Sequence, residues 1–369
     1  MHDVVVIGGG LIGSAVAREL ALNGLRVLLF ERGRPERTAS WAAAGMLSPL
    51  AESEDAGGFL DFLRASRKLY PSFTRSIEEA TGLPTGYRSE GTFLVALNES
   101  DEAALRQRFA WQRAADLPVE WLTGDETRQF EPAISGEARA ALRFDEDHQV
   151  DNRLLLEALR VAAGHAGVDR RIEEVAGIVR QGERVSGVQL RSGERVEAGW
   201  VVVAAGVWCS RLEGLPRPLP LRPVHGQLLA LHPGRPLIRH VLDSPRIYLV
   251  PRADGRVIVG ATVEEIGFEQ RVTAAGIHTL LGAALELIPE LEHARFGESW
   301  SGLRPGTPDH LPILGADPDL PNLVYATGHY RNGVLLTPIT AEVVADLVMD
   351  RPSRLPLAAY APDRFGPAG

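Results

Sequence analysis

Hydrophobic positions near the start of the chain change period twice. Residues 4–7 form a continuous apolar run that stops at glycines, an alanine-rich amphipathic segment follows, and a second apolar run occupies residues 27–30. A short continuous run reads as a buried strand and the amphipathic stretch as a helix, so the predicted order is strand, tight turn, helix, strand. Residues 150–163, "VDNRLLLEALRVAA", carry apolar side chains at helical spacing behind an aspartate that can cap them. From residue 172, "IEEVAGIVRQGERVSGVQLRSGERVEAGWVVVAAGVW" alternates between turns at Gln181-Gly182 and Ser192-Gly193, which predicts an antiparallel meander. It ends in a buried strand over residues 201–204, just before Gly206.

Two stretches differ in character. Residues 86–145 hold a charged helix rich in Ala, Arg and Gln, and residues 221–297 alternate apolar and polar positions, as in "RIYLVPRADGRVIVGAT". The expected fold class is α/β. A Rossmann-like dinucleotide-binding domain comprises residues 1–85, 146–220 and 298–369, and an interleaved α+β domain comprises residues 86–145 and 221–297. At 369 residues the chain is larger than most single-core domains, which agrees with two lobes.

The glycines give the first turn its chemistry. Gly8, Gly10 and Gly13 fit G-x-G-x-x-G. Gly8 would make the tight turn, Gly10 would admit a pyrophosphate to the backbone, and Gly13 would let helix and strand pack closely, with the phosphates at the positive end of the helix dipole. Glu31 ends the second strand, where a carboxylate can accept hydrogen bonds from an adenosine ribose and disfavours a 2′-phosphate. These features suit NAD and FAD alike. The second strand-to-glycine turn at Gly206 points to FAD.

Composition narrows the function classes. The chain is 45% hydrophobic and 24% charged, with net charge −9 and no dense Lys/Arg tract, which argues against a nucleic-acid surface. Its one cysteine, Cys209, allows neither an intramolecular disulfide nor a multi-cysteine metal site and suits a reducing cytoplasm. A strand within a few residues of the amino terminus leaves no room for a signal peptide, and no apolar run approaches the ~20 residues of a membrane helix. The histidines His225, His310 and His329 lack metal-ligand spacing, so no metal is expected.

Segments spanning nearly the whole chain resemble the D-amino-acid oxidase family of FAD-dependent flavoproteins, most closely its glycine oxidases. They are "VVVIGGGLIGSAVARELA", "ASWAAAGMLSP", "VVVAAGVW", "YLVPRADGRVIVGAT", "GLRPGTPDHLPILG" and "NLVYATGHYRNGVLLTP". The resemblance implies oxidative deamination of glycine, with sarcosine and small D-amino acids as alternative substrates, by non-covalent FAD. Reoxidation by dioxygen would yield hydrogen peroxide, the pathway would be thiazole synthesis for thiamine, and the enzyme would be a cytoplasmic homotetramer. It places Gly8, Gly10, Leu11, Ile12, Gly13, Glu31, Arg32, Ala39, Ser40, Ala44, Gly45, Met46, Val175, Gly206, His329, Tyr330, Arg331, Asn332, Gly333, Val334 and Leu335 at the cofactor, with Met46 also beside the substrate cavity. Arg304 would clamp the substrate carboxylate as a guanidinium fork, Tyr248 would add a phenolic hydrogen bond, and Arg331 would lie near substrate and flavin.

The residues by themselves leave alternatives. Either arginine could pair with an acid such as Asp309, and "AAAG" at residues 42–45 could be a helix packing on a core rather than a flavin contact. The turn "ATGHYRNG" would present backbone N–H groups, and a helix beginning near Val334, to the electron-rich end of a reduced flavin. No side chain stands out as a catalytic base, which suits a reaction that needs orientation more than proton abstraction. A dehydrogenase passing electrons to a quinone, and a flavoprotein without turnover, are the competing functions. Val263 and Arg246 stand where methionine and histidine occur in some glycine oxidases, so the pocket can differ in shape.

Overall fold

The computed structural model describes residues 2–33, 36, 38–353 and 355–366. Two eight-stranded sheets organise them. In the first, His2–Ile7 lies between Val27–Glu31 and Arg195–Val203 in parallel register, flanked by Asp169–Ile172 on one side and Leu323–Thr327 on the other. Strands of this kind are covered on both faces, hence the unbroken apolar runs. Val4 and Val6 face a layer containing the helices Leu11–Leu22, Gly58–Thr81, Asn152–His165 and Thr337–Val348, while Val5 and Ile7 face Ile178, Val188 and Tyr325 on the opposite side. The meander Val175–Gln181, Arg184–Leu190, Arg195–Val203 is antiparallel as its turns predict. Asp151 caps Asn152–His165 through the N–H groups of Arg153 and Leu154, also as predicted.

The second sheet runs in the order Arg295–Gly306, Arg222–His232, Val257–Gly260, Tyr248–Pro251, Val241–Asp243, Thr92–Ala96, Ala140–Phe144, Glu120–Thr123. The helix Ala274–Leu287 packs on it through Leu280, Ala284 and Leu287. The charged helix expected in residues 86–145 is Glu99–Ala114, capped by Asn98.

Two boundaries differ from the sequence reading. Residues 298–306 were expected in the dinucleotide-binding part, but Arg295–Gly306 pairs antiparallel along Arg222–His232 and so belongs to the second sheet. Those strands are the longest of that sheet, and each supplies the other's backbone hydrogen bonds. The last helix starts at Thr337 rather than near Val334. Pro338 opens it, where a missing N–H is tolerated, and residues 334–336 form a turn closed by Leu336 N–H on the Asn332 carbonyl (2.8 Å).

Candidate active site

A cavity of about 2210 Å³ is lined by both sheets and their loops. At one end stand Gly8, Gly10, Leu11, Ile12, Glu31, Arg32 and Val175; at the other, Tyr248 and Arg304; Ala39, Ser40, Ala44, Gly45, Met46, Gly206 and residues 329–334 line the wall as well. Gly13 and Leu335 do not reach the surface of the cavity. Gly13 lies behind it, where an added Cβ would collide with the Gly8 carbonyl oxygen, and Leu335 is buried in the helical layer. The close helix–strand packing assigned to Gly13 is therefore present.

This end fits a dinucleotide. Gly8 has φ +114°, and a Cβ there would sit 2.5 Å from the Ala204 oxygen. Gly10 caps Leu11–Leu22 without a side-chain hydrogen bond and no acid occupies the first turn, so the positive end of the helix faces the cavity uncompensated. The Leu11 N–H is met by Ser40 Oγ at 2.9 Å. Glu31 is held by Arg160 at 2.6 Å and approached by Arg170 at 3.6 Å, and Arg160 also donates to the Gly9 carbonyl at 2.8 Å. Arg32 stacks on Trp208 (3.9 Å), Trp208 leans on Phe268 (ring centroids 4.8 Å apart), and Arg211 covers Phe268 (3.7 Å). That stack ties residues 261–273 to the dinucleotide-binding part.

Of residues 42–45 only Ala42 is helical, and all four line the cavity. Ala39–Ala42 is a short helix capped by Thr38, after which the chain extends through Ala43 along the cavity. Three side chains distant in sequence hold its carbonyls. Trp300 Nε1 donates to Ala42 (2.8 Å), Asn152 Nδ2 to Ser40 and Trp41 (2.8 and 2.9 Å), and Arg252 Nη2 to Ala44 (2.8 Å). Burial pushes the Arg252 guanidinium down to about 10. Met46 follows on the wall, paired with Gln149. The turn at residues 328–336 is locked in the same way: Ser66 donates to the Leu335 carbonyl at 2.6 Å and the buried Tyr70 hydroxyl to that of Val334.

At the other end, Arg304 lies across Arg222–His232. A Cβ on Gly226 would fall 2.7 Å from its Nη2 and 2.8 Å from its Cζ, so a larger residue there would push the guanidinium out of this position. Its Nη1 donates to the carbonyls of Thr262 (3.3 Å) and His225 (3.5 Å). Among the described residues no carboxylate pairs with it. Asp309, the acid considered as its partner, is taken by Arg364 at 2.7 and 3.1 Å. The Tyr248 hydroxyl faces Arg304, and burial raises the phenol above its ordinary range, so it stays protonated and able to donate. Arg331 has an acid neighbour, Glu52, with Nε 3.6 Å from its carboxylate, and this charge raises the guanidinium further.

Glu52 and Asp243 are cavity residues that the sequence reading missed. Burial, reinforced by the negative charge of Glu52, pushes the Asp243 carboxyl up to about 7. Behind them Asp147 is fully buried, accepts from the N–H groups of Leu50 and Ala51 (3.1 and 2.7 Å), and is pushed up to about 8 by burial. Arg108 donates to the carbonyls of Ala51 and Ser53 (2.8 and 2.6 Å) and so shapes the same loop. No local pattern marks these acids. They meet because the loop at residues 49–55 lies against the end of Val241–Asp243, and only the fold brings those together.

Of His225, His310 and His329, the last two line the cavity. His329 is buried with Nε2 3.1 Å from the Thr340 hydroxyl, and burial pushes its imidazole down to about 3, which leaves its backbone to face the cavity. No group of three metal-ligating side chains occurs among the described residues. Cys209 is buried, off the cavity wall, and its thiol is pushed up to about 12. Val263 is 59% exposed at the cavity rim, and Arg246 pairs with Glu286 at the surface.

Known proteins are similar to this chain over nearly its whole length. The bifunctional protein ThiO/ThiG of Trichormus variabilis is 39% identical over 99% of the chain, which spans only 55% of that relative. The glycine oxidase of Geobacillus kaustophilus is 36% identical over 98% of the chain and 96% of its own length. The crystal structure of glycine oxidase from Geobacillus kaustophilus superposes with TM-score 0.94, at 35% identity and with 98% of each chain covered. The profile of the DAO family, FAD dependent oxidoreductase, matches residues 3–347, and with the glycine-lined dinucleotide cradle in place the chain belongs to this family and uses FAD.

Proposed function

We propose that the chain oxidises glycine, or another small amino acid, to an imine that water hydrolyses to the 2-oxo acid and ammonia, with dioxygen as electron acceptor and hydrogen peroxide as second product. The observation that carries this reading is Arg304: a guanidinium on the cavity wall, anchored through one nitrogen to backbone carbonyls and unpaired with any acid among the described residues. Its remaining donors form a fork matched to a carboxylate, and the neutral Tyr248 hydroxyl supplies a further donor. FAD, when bound, accepts the two electrons of the C–N oxidation. The protein's contribution is to bind the carboxylate at Arg304 and orient the substrate's α-carbon.

Supporting a small substrate, the likeness to the Geobacillus kaustophilus glycine oxidase covers nearly all of both chains. The place we propose for the reaction is supply of the imine of glycine for the thiazole of thiamine, supported by the likeness to the ThiO/ThiG protein. We further assign the cofactor contacts to the wall residues named above and a non-covalent mode to the FAD, supported by the position of Cys209 away from the cavity. A cytoplasmic homotetramer completes the reading. For the membrane, what stands is that no helix among the described residues is long and apolar enough to cross one.

The test is a panel of amines under air with the purified yellow protein. Glycine should release peroxide and ammonia in equal amounts. Turnover with a quinone but no peroxide under air would make the chain a dehydrogenase, and failure of every amine to bleach the flavin would make it a non-catalytic flavoprotein.

A further inference from the structure

We infer that Glu264, which lies outside the cavity wall, is a positioning residue that sets the orientation of Arg304 through Thr262; this rests on the reading of Arg304 as the carboxylate clamp. Glu264 Oε1 accepts from the Thr262 hydroxyl (2.5 Å) and from Gln227 Nε2 (2.7 Å). The Thr262 hydroxyl in turn accepts from the Gln227 N–H (2.9 Å), and the Thr262 N–H donates to the Gln227 carbonyl (3.2 Å). Two residues along, Glu264 and His225 exchange both backbone hydrogen bonds at 2.9 Å. The outcome is that residues 262–264 are fastened to Arg222–His232 by backbone and side chain together.

The two carbonyls so fixed, Thr262 and His225, are the ones that accept from Arg304 Nη1. A guanidinium is planar, so holding one Nη sets the plane and leaves Nε and the other Nη along the edge that meets a carboxylate. Without the anchor, the long side chain would lose its freedom only on binding substrate, and affinity would fall accordingly.

Glu264 makes one further side-chain contact, at ion-pair distance from His225. It does not line the cavity, and its second oxygen lies 3.5 Å from His225 Nδ1, in a fully buried ring with no hydrogen-bond partner at either nitrogen. Burial works against its charge, yet the hydrogen bonds from Thr262 and Gln227 hold the carboxyl below its ordinary range. Gln227 carries the tie outward, since its Oε1 accepts from the N–H of Thr273, the cap of Ala274–Leu287.

The experiment compares glycine with glycine ethyl ester, whose carboxylate is masked, in the FAD-loaded enzyme. Glu264→Leu should raise KM for glycine about tenfold, the effect of losing one well-placed charge-assisted contact, with kcat and the ester's KM changed less than about twofold. Glu264→Gln keeps an acceptor for both donors and should restore a near-parental glycine KM. Thr262→Val, which removes the link but keeps the acid, should reproduce several-fold of the rise, and it decides the matter if the leucine variant does not hold FAD. An unchanged glycine KM in a flavin-loaded Glu264→Leu, or an equal rise for the ester, would overturn the inference. Arg304→Ala run alongside separates the two levels: if it too treats glycine and ester alike, the clamp itself is wrong and the inference falls with it, whereas discrimination by Arg304→Ala but not by Glu264→Leu or Thr262→Val overturns the positioning role alone.

Discussion

The two ends of the cavity are built from different materials. The dinucleotide end is made largely of backbone: the turn Gly8 to Gly13 and the start of Leu11–Leu22, whose first turn carries no acid, with Glu31 beside them. The substrate end is made of side chains from scattered segments: Glu52, Asp243, Tyr248, Arg304 and Arg331. A phosphate-bearing ligand can be held by N–H groups and a helix dipole that any compatible sequence presents, so selection acts there on what must be absent, namely Cβ atoms. A small amino acid offers one charge and few atoms, so its recognition depends on particular charged groups at particular distances.

Substitutions at the two ends should therefore fail differently, and the largest effect belongs to the charge end. Arg304→Ala should lower kcat/KM for glycine roughly 30-fold to several thousand-fold, the consequence of about 2–5 kcal/mol for a lost buried charge pair, while flavin content and spectrum stay parental. Arg304→Lys should recover only part, because a point charge cannot make two parallel bonds. Steady-state kinetics with glycine beside flavin titration checks both, and loss of FAD from Arg304→Ala would erase the distinction between the ends.

Next in size is the steric end. Gly13→Ala drives a Cβ into the Gly8 carbonyl, and overpacking of this kind costs about 1–3 kcal/mol, so FAD affinity should fall roughly five- to hundredfold with the KM for glycine of the remaining holoenzyme unchanged. Equilibrium binding of FAD to apoprotein measures it, and parental affinity would show that helix and strand can separate there without harm. Glu31→Gln is expected to be milder. Its carboxylate is already paired with Arg160, so the variant loses charge from a network rather than from ribose alone, and FAD affinity should weaken about tenfold.

The smallest effect sharpens the contrast within the substrate end. The Asp243 carboxyl, raised from 3.8 to about 7, keeps its proton in the folded protein through a window in which the unfolded chain has released it. The folded state then binds more protons, so stability falls as pH rises from about 4 to about 7. Asp243→Asn cannot ionise and should remove that slope: a melting temperature near the parent's at pH 4 and a few degrees above it at pH 8. The same difference at both pH values would mean that Asp243 is already charged in the folded protein at the lower one.

How far the sequence could be read follows the same division. The strand–turn–helix–strand at the amino terminus, the capped helix behind Asp151 and the meander were legible because each rests on neighbours in sequence: apolar period, a cap, paired turns. Arg304, Arg331 and Tyr248 were reachable through the resemblance, and which acids stand beside them was not. The sequence left Arg304 free to pair with Asp309, and the fold gives that acid to Arg364 instead. It also hands Arg331 a different acid, Glu52.

Local pattern sufficed for the elements, for the glycine cradle and for the choice of a dinucleotide, since those depend on φ, on Cβ atoms and on periods of two and 3.6 residues. It could not place residues 298–306 in the second sheet, nor bring Asp243 beside Glu52, nor fasten the alanine segment by Trp300, Asn152 and Arg252. Each of these is a pairing across 70 or more positions of the chain, as between Leu229 and Ser299 (70), Asn152 and Ser40 (112) or Trp300 and Ala42 (258). A hydrogen-bond donor carries no mark of which distant carbonyl it will meet. That partner is chosen when the sheets and helices bury their apolar faces, because a buried polar group must then be satisfied by whatever the packing has placed within reach.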